Sequence, residues 1–100
     1  MSTQPDKNSP PDGQKGTVLI VDDHPVNIRL LEKILGADGY RTLAAENGPD
    51  GRKLAASRLP ALILLDIMMP GASGLESCEQ LQKEPQTAHI TVEFLLAKTD

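Results

Sequence analysis

The stretch TVLIVDDHPVNIRLLEKIL, residues 17–35, places a buried strand directly before an amphipathic helix. Its beginning, Thr17 to Asp22, is mostly β-branched and does not alternate with polar residues, which predicts a strand covered on both faces. Pro25 suits the first turn of a helix, which is expected to end at Gly36 or Gly39. Between them, apolar side chains recur at helical spacings of three and four: Val26, Ile28, Leu30, Leu31, Ile34 and Leu35.

The same alternation of strand and helix continues along the rest of the sequence. We expect further strands over residues 40–45, 61–66 and 90–97, and further helices over residues 47–58 and 75–84. The first of these two helices is expected to open at Pro49. Strands joined through single helices form parallel sheets by right-handed crossovers, with helices on both faces. The predicted fold class is therefore α/β, with four strands and three helices.

Length and composition indicate one domain preceded by a polar tail. The chain has 100 residues, a single-domain length. Residues 1–16 are rich in Pro, Ser, Asp, Gln, Lys and Gly and show no hydrophobic period, so they are too polar to offset the entropy of ordering them. We predict a disordered tail over residues 1–16 and one domain over residues 17–100.

Charge and cysteine content exclude several classes of protein. Lysine and arginine total 10 against 14 aspartates and glutamates, the net charge is −4, and the basic residues do not cluster, so direct nucleic-acid binding is not expected. Cys78 is the single cysteine, which excludes a disulfide framework and suits a reducing, cytoplasmic compartment. No apolar run suits a signal peptide or a membrane span, so membrane association is not expected either.

Acidic residues follow two of the predicted strands. Asp22 and Asp23 end the first strand, and Asp66 ends the third and precedes a turn rich in Pro and Gly. Ligands of open parallel sheets bind at the carboxyl ends of the strands, where the strand order reverses. If the two strands are neighbours, the three carboxylates converge and repel one another unless a cation lies between them. An all-oxygen site of this kind suits Mg²⁺.

A carboxylate beside a bound divalent cation can attack a phosphoryl group, because the metal stabilises the charge on the transferring oxygens. Asp66, which we expect to be exposed on its turn, is the candidate for this role. The chemistry is that of a phosphoacceptor and not of an enzyme that turns over a substrate.

The segments VLIVDDHPVNIRLLEKIL and LLDIMMPGASGLE together resemble the receiver domain of two-component response regulators, the CheY-like family, from about Thr17 to Asp100. The resemblance implies a flavodoxin-like, doubly wound sheet with strand order 2-1-3-4-5. It implies that Asp66 accepts a phosphoryl group from a phosphohistidine on a sensor histidine kinase, with Mg²⁺ as the cofactor. It also assigns metal contacts to Asp23 and Asp66 directly, to Asp22 through water and to the main-chain carbonyl of Met68, and loop-shaping roles to Pro70 and Gly74.

The chain departs from the family pattern near its C-terminus. Receivers carry Thr or Ser at the end of the fourth strand, where this sequence has Leu96, which offers no donor to a phosphate oxygen. They continue through a helix, a strand ending in Lys and a further helix, whereas this chain ends at Asp100, and Lys98 is expected to face solvent. Glu93 interrupts the fourth strand and is expected to meet water. We therefore predict a truncated receiver whose phosphorylation switch is impaired.

The same departures support a second hypothesis, a non-phosphorylated receiver-like module for interaction or dimerisation. A fourth strand at the edge of the sheet presents unpaired N–H and C=O groups to another chain. We expect homo-oligomers to form through that edge. A third class, phosphatases of the haloacid dehalogenase type, needs a second aspartate two residues after the first, and Met68 stands at that position.

Other residues with metal-binding side chains are given structural roles. His24 and His89 lack partners at ligand spacing, so helix capping or solvent exposure is expected for both. Cys78 is expected to be a small buried hydrophobic residue on the third helix.

Overall fold

The computed structural model describes residues 15–68 and 74–95. The elements are β1 (Thr17–Val21), α1 (Pro25–Ala37), β2 (Arg41–Ala45), α2 (Gly48–Arg58), β3 (Leu62–Asp66), α3 (Gly74–Lys83) and β4 (Thr91–Leu95). The predicted alternation of strand and helix is confirmed. Within the described residues the element boundaries differ from the predicted ones by at most two residues, and the predicted end of the last strand lies outside them.

The four strands form one parallel sheet in the order β2-β1-β3-β4. β1 lies between β2 and β3, with Val21 paired to Ala45 on one side and to Leu65 on the other. The chain moves outward from β1 to β2 and then crosses to the opposite side of β1 for β3 and β4. This reversal places the carboxyl ends of β1 and β3 side by side, where open α/β sheets bind ligands. The flavodoxin-like fold is confirmed.

β1 is buried on both faces, as its apolar sequence predicts. Leu19 and Val21 point to the face covered by α2 and α3, where they pack with Ala55 and Leu81. Val18 and Ile20 point to the opposite face and pack with Ile28 of α1, while further apolar side chains surround them. Each of these large side chains contributes about 1.5–3 kcal/mol by leaving water. The central strand is therefore held rigidly, and so is the position of the residues that follow it.

The helix termini agree with the sequence signals except at one position. α1 begins at Pro25, and Gly39, just beyond its end, takes the left-handed conformation with φ of +98°. α2 begins at Gly48, one residue before the expected Pro49, because the side chain of Asn47 accepts a hydrogen bond from the Asp50 N–H. His24 is the N-cap residue of α1, but its side chain makes no cap hydrogen bond and is exposed, so of the two expected roles solvent exposure is confirmed.

Close backbone packing fixes α2 against the sheet and against α3. A Cβ atom on Gly51 would lie 2.8 Å from Cγ2 of Val21, and one on Gly48 would overlap the Ser77 hydroxyl. Only glycine permits these approaches. α2 and α3 are thereby held in a fixed position relative to β1.

Several predictions concern residues that the structure does not describe. They include most of the predicted tail (residues 1–14), Met69, Pro70, Leu96, Ala97 and Lys98, which lie outside the described residues. Glu93 is described and is exposed, as predicted. Among the described helices, none combines the length and the apolar character needed to cross a membrane.

Candidate functional site

The acidic residues that the sequence places at strand ends meet at one edge of the sheet. β1 and β3 are parallel neighbours, so Asp22, just after β1, lies beside Asp66, the last residue of β3. Both are almost completely buried, with 2% of each residue exposed, while Asp23 is half-buried. The expected exposure of Asp66 on a turn is wrong, because Asp66 ends the strand itself and its carboxylate is held by the chain that follows.

Four side chains contribute one ligand atom each to a compact cluster. These atoms, from Asp22, Asp23, His24 and Asp66, all lie within 4.8 Å of one another. The predicted convergence of the three carboxylates is confirmed. The Oδ1 atom of Asp23 is buried, and among the described residues it has no partner in a well-formed hydrogen bond. Burying an acceptor oxygen without a hydrogen-bond donor destabilises the fold unless a cation or water completes its contacts.

His24 belongs to this cluster, contrary to the prediction that it has no partners at ligand spacing. Its Nδ1 atom lies 3.0 Å from Oδ1 of Asp22, 3.0 Å from Oδ1 of Asp23 and 4.0 Å from Oδ2 of Asp66. The backbone N–H of His24 also donates a hydrogen bond to Oδ1 of Asp22, at 2.9 Å. The sequence offers one signal for this placement: a histidine directly after an acidic pair must share the turn between strand and helix.

Asn27 is a second residue at the site that the sequence analysis did not single out. Its side-chain amide donates to Oδ2 of Asp22 at 3.3 Å from the first turn of α1. The two carboxylate oxygens of Asp22 therefore have different neighbours, with the His24 N–H at Oδ1 and the Asn27 amide at Oδ2. These contacts fix the orientation of the buried carboxylate.

The turn after β3 holds the carboxylate of Asp66. The N–H of Met68 donates to Oδ1 of Asp66 at 2.9 Å, and the Met68 side chain is exposed. The predicted metal contact of the Met68 carbonyl stays a prediction. Gly74, predicted to shape the loop, is the first residue of α3. The structure does not describe Pro70.

The electrostatics of the cluster favour an added positive charge. Burial raises the pKa of Asp66, the Met68 N–H opposes this rise, and the nearby Asp22 and Asp23 raise the pKa further. The pKa of His24 is also raised, mainly by its hydrogen bond with Asp22 and by the charge of Asp23. The raised pKa of His24 reflects the negative charge around it, whereas the raised pKa of Asp66 reflects mainly burial, to which the two neighbouring carboxylates add.

The residues present fit a divalent cation. The donor set contains three carboxylates, and the buried Oδ1 atom of Asp23 accepts no well-formed hydrogen bond from the described residues, although Nδ1 of His24 lies 3.0 Å from it. A hard divalent cation prefers carboxylate oxygens and would relieve both the repulsion among them and the unsatisfied acceptor. The arrangement can therefore bind a metal ion next to a carboxylate at the carboxyl edge of the sheet.

Comparison with known proteins identifies the family. A model of the response regulator receiver domain matches residues 18–98. The chain belongs to this family. The receiver is similar to response regulator PleD of Caulobacter vibrioides, with 45% identity over 80 residues, which are 80% of this chain and 18% of PleD. It is similar to protein PilH of Pseudomonas aeruginosa, with 41% identity over 81 residues, which are 81% of this chain and 67% of PilH.

A solved structure shares the fold of this receiver. The structure is the crystal structure of histidine kinase ThkA in complex with response regulator protein TrrA, and the receiver is similar to a chain in it. The TM-score is 0.76 and the identity is 35%, over 86% of this chain and 72% of that chain. The receiver thus spans less than three quarters of the matched chain.

Proposed function

We propose that this receiver accepts a phosphoryl group on Asp66 in the presence of Mg²⁺. One observation carries the proposal: the carboxylate of Asp66 lies in the same compact cluster as those of Asp22 and Asp23, at the ends of two adjacent parallel strands. The proposal explains why three acids are held together in a fold that could separate them. The buried Oδ1 atom of Asp23, which accepts no well-formed hydrogen bond from the described residues, also supports it.

Each residue of the site has a distinct task in this reaction. Asp23 and Asp66 would hold Mg²⁺ directly, Asp22 through water, and the Met68 carbonyl would complete the protein's contribution. The bound ion supplies positive charge that stabilises the oxygens of the phosphoryl group during transfer. The Met68 N–H orients the carboxylate of Asp66 through its hydrogen bond to Oδ1. An oxygen of Asp66 then forms a bond to phosphorus as the bond from phosphorus to the donor atom breaks.

Among the described residues of the cluster, Asp23 and His24 are more exposed than Asp66. Asp66 is buried, whereas Asp23 is half-buried and the side chain of His24 is 61% exposed. We therefore expect a donor to approach from the side of Asp23 and His24.

A phosphohistidine on a sensor histidine kinase is the donor we propose. The similarity to a chain in the complex of histidine kinase ThkA with response regulator protein TrrA supports this choice. The single thiol, Cys78, is not in a disulfide and is consistent with a reducing compartment, so the cytoplasm remains part of the proposal.

Mass spectrometry tests the phosphoacceptor directly. The intact protein is incubated with acetyl phosphate and Mg²⁺, and we expect a mass increase of one phosphoryl group that maps to Asp66. The increase should be absent when EDTA is present during the incubation. The Asp66→Asn variant should not gain it, whereas Asp38→Asn, which changes an exposed aspartate outside the cluster, should behave as wild type. Phosphorylation of Asp66→Asn to the wild-type level would contradict the proposal.

An impaired switch is the second part of the proposal. At position 96 this chain has Leu where receivers carry Thr or Ser, so a phosphoryl group on Asp66 would lack one hydrogen-bond donor. We expect smaller amide chemical-shift changes on phosphorylation in wild type than in a Leu96→Thr variant. Equal changes in the two proteins would show that position 96 does not limit the response.

A different candidate function, an interaction module that forms homo-oligomers, is favoured by the exposed strand β4. In the described sheet, β4 pairs only with β3, and Phe94 is partly exposed on it. An unpaired strand edge is a template for a second chain. Sedimentation over a range of concentrations would then show a dimer that persists in the Asp66→Ala variant. A concentration-independent monomer would exclude this candidate.

A further inference from the structure

We propose that His24 is a metal ligand and that the site consequently prefers a divalent transition-metal ion, with Mn²⁺ as the test case, over Mg²⁺. The inference rests on the cation site of the proposed function and adds a nitrogen ligand to it. The observation that prompts it is the position of the imidazole. Its Nδ1 atom lies among the carboxylate oxygens and not on the far side of the turn.

The distances around Nδ1 match those between ligands of one octahedral ion. Two ligand atoms that each lie about 2.1 Å from an ion are about 3.0 Å apart at a right angle and about 4.2 Å apart when opposite. The Nδ1 atom lies 3.0 Å from an oxygen of Asp22, 3.0 Å from one of Asp23 and 4.0 Å from one of Asp66. The imidazole can therefore bind the same ion as Asp23 and Asp66, the two carboxylates proposed as direct ligands, with little rearrangement.

The backbone around His24 holds the imidazole in this position. The His24 N–H donates to Oδ1 of Asp22, and the His24 carbonyl accepts the first hydrogen bond of α1 from the Ile28 N–H. Pro25 follows directly and has a fixed φ. The ring makes no cap hydrogen bond to α1, and its Nδ1 atom lies in a hydrogen bond with Oδ1 of Asp22, which a bound ion would replace.

The chemistry of the donor set sets the metal preference. Carboxylates, carbonyls and water suit both Mg²⁺ and Mn²⁺, whereas imidazole nitrogen suits Fe²⁺, Ni²⁺, Cu²⁺ and Zn²⁺. Mn²⁺ is itself a first-row transition metal, so we expect it to gain more than Mg²⁺ from a nitrogen ligand. Three carboxylates and one imidazole form a mixed set. A side chain without a nitrogen ligand at position 24 would leave an all-oxygen site with no such preference.

The competing explanation is that the imidazole only donates a hydrogen bond to the carboxylates. In that case the side chain of His24 competes with every cation, and its removal strengthens the binding of Mg²⁺ and Mn²⁺ alike. Under the proposal, removal weakens Mn²⁺ binding and leaves Mg²⁺ binding nearly unchanged. The two explanations thus predict opposite effects on Mn²⁺.

Electron spin-echo envelope modulation of the Mn²⁺-loaded protein gives the most direct test. We expect a ¹⁴N coupling from a bound imidazole in wild type, its loss in His24→Ala, and its retention in the matched control His89→Ala, since His89 is outside the cluster. Calorimetry on the same proteins should show Mn²⁺ affinity reduced at least about tenfold by His24→Ala, because even outer partners of metal ligands change affinity by about 10- to 100-fold.

The possible results separate this inference from the proposed function. Absence of a ¹⁴N coupling in wild type that binds Mn²⁺ would overturn the inference and leave the phosphoacceptor site intact. Equal weakening or equal strengthening of Mg²⁺ and Mn²⁺ binding by His24→Ala would also overturn it. Failure of both ions to bind wild type would overturn the cation site itself. The wild-type spectrum provides a test even if the His24→Ala variant does not fold.

Discussion

At the scale of single residues, the site is built from side chains that would be costly elsewhere in the fold. Asp22 and Asp66 are buried carboxylates, and the cost of burying each is partly offset by a backbone N–H from the chain that follows its strand. The sequence places these acids at strand ends, and their convergence follows once β1 and β3 are neighbours. The positions of His24 and Asn27 depend on the turn conformation, which no periodicity in the sequence encodes.

Ser77 carries a polar group that the core does not satisfy. Its hydroxyl is buried against Gly48 and, within the part of the chain that is described, has no hydrogen-bond partner. A buried polar group without a partner costs about 1–3 kcal/mol. We expect Ser77→Ala to raise the free energy of unfolding, measured with urea, by on the order of 1 kcal/mol. A loss of stability would show that the hydroxyl has a partner, such as water.

Cys78 gives a prediction about pH. Burial raises the pKa of its thiol, and the nearby Glu79 raises it further. The protonated thiol is favoured in the folded state, so its contribution to stability is present below the ordinary thiol pKa and is lost as pH rises through the raised value. Reaction with a thiol reagent should therefore increase only at a pH above that of an unfolded control.

The Glu79→Gln variant tests the electrostatic part of this shift. Removal of the charge should lower the pH at which Cys78 becomes reactive, and Glu84→Gln, beyond the end of α3, serves as the control. An unchanged profile in Glu79→Gln would mean that burial alone sets the pKa.

At the scale of elements, the amphipathic and apolar patterns predict which segments form strands and helices but not how closely the elements approach. The apolar runs of β1 and β3 and the helical spacing in α1 are visible in the sequence, and the structure confirms them. The close contact of α2 with β1 depends on Gly51 facing Val21, a pairing between residues that are distant along the chain. A glycine in a helix pattern signals either flexibility or close packing, and only the fold distinguishes them.

Two glycines within helices are therefore expected to respond in opposite ways to alanine. In Gly51→Ala the new Cβ would press on Val21 at 2.8 Å, and overpacking of about 1–3 kcal/mol exceeds the helix-propensity gain of at most about 1 kcal/mol. In Gly36→Ala nothing lies within 4 Å of the new Cβ, so the propensity gain should appear in full. Urea unfolding of the two variants checks the signs, and a stabilised Gly51→Ala would contradict the described packing.

At the scale of the whole molecule, the topology of the sheet produces the site. The strand order β2-β1-β3-β4 brings together acids that are far apart in the sequence. The alternation of elements predicts a parallel sheet, but it leaves the strand order open, and the order entered only through the family resemblance. The number and identity of the side chains that meet at the cluster could then be anticipated only in part.

The acid cluster should link the stability of the whole domain to the cation. Without metal, and at a pH at which His24 is neutral, Asp23→Asn should stabilise the protein by on the order of 1 kcal/mol, because it reduces repulsion among three carboxylates. With Mg²⁺ at a hundredfold excess over its dissociation constant, wild type should gain about 2.7 kcal/mol and become the more stable of the two. Thermal unfolding with and without Mg²⁺ measures both. An effect of Mg²⁺ that is equal in the two proteins would place the ion elsewhere.

The central claim is that the cluster of Asp22, Asp23 and Asp66 is one cation-dependent phosphoacceptor site. A crystal structure with Mg²⁺ and beryllofluoride, a stand-in for the phosphoryl group, tests it most directly. The claim predicts beryllium bonded to a carboxylate oxygen of Asp66 and a metal ion in contact with that group and with Asp23. An unmodified Asp66, or a metal ion bound away from these three residues, would contradict it.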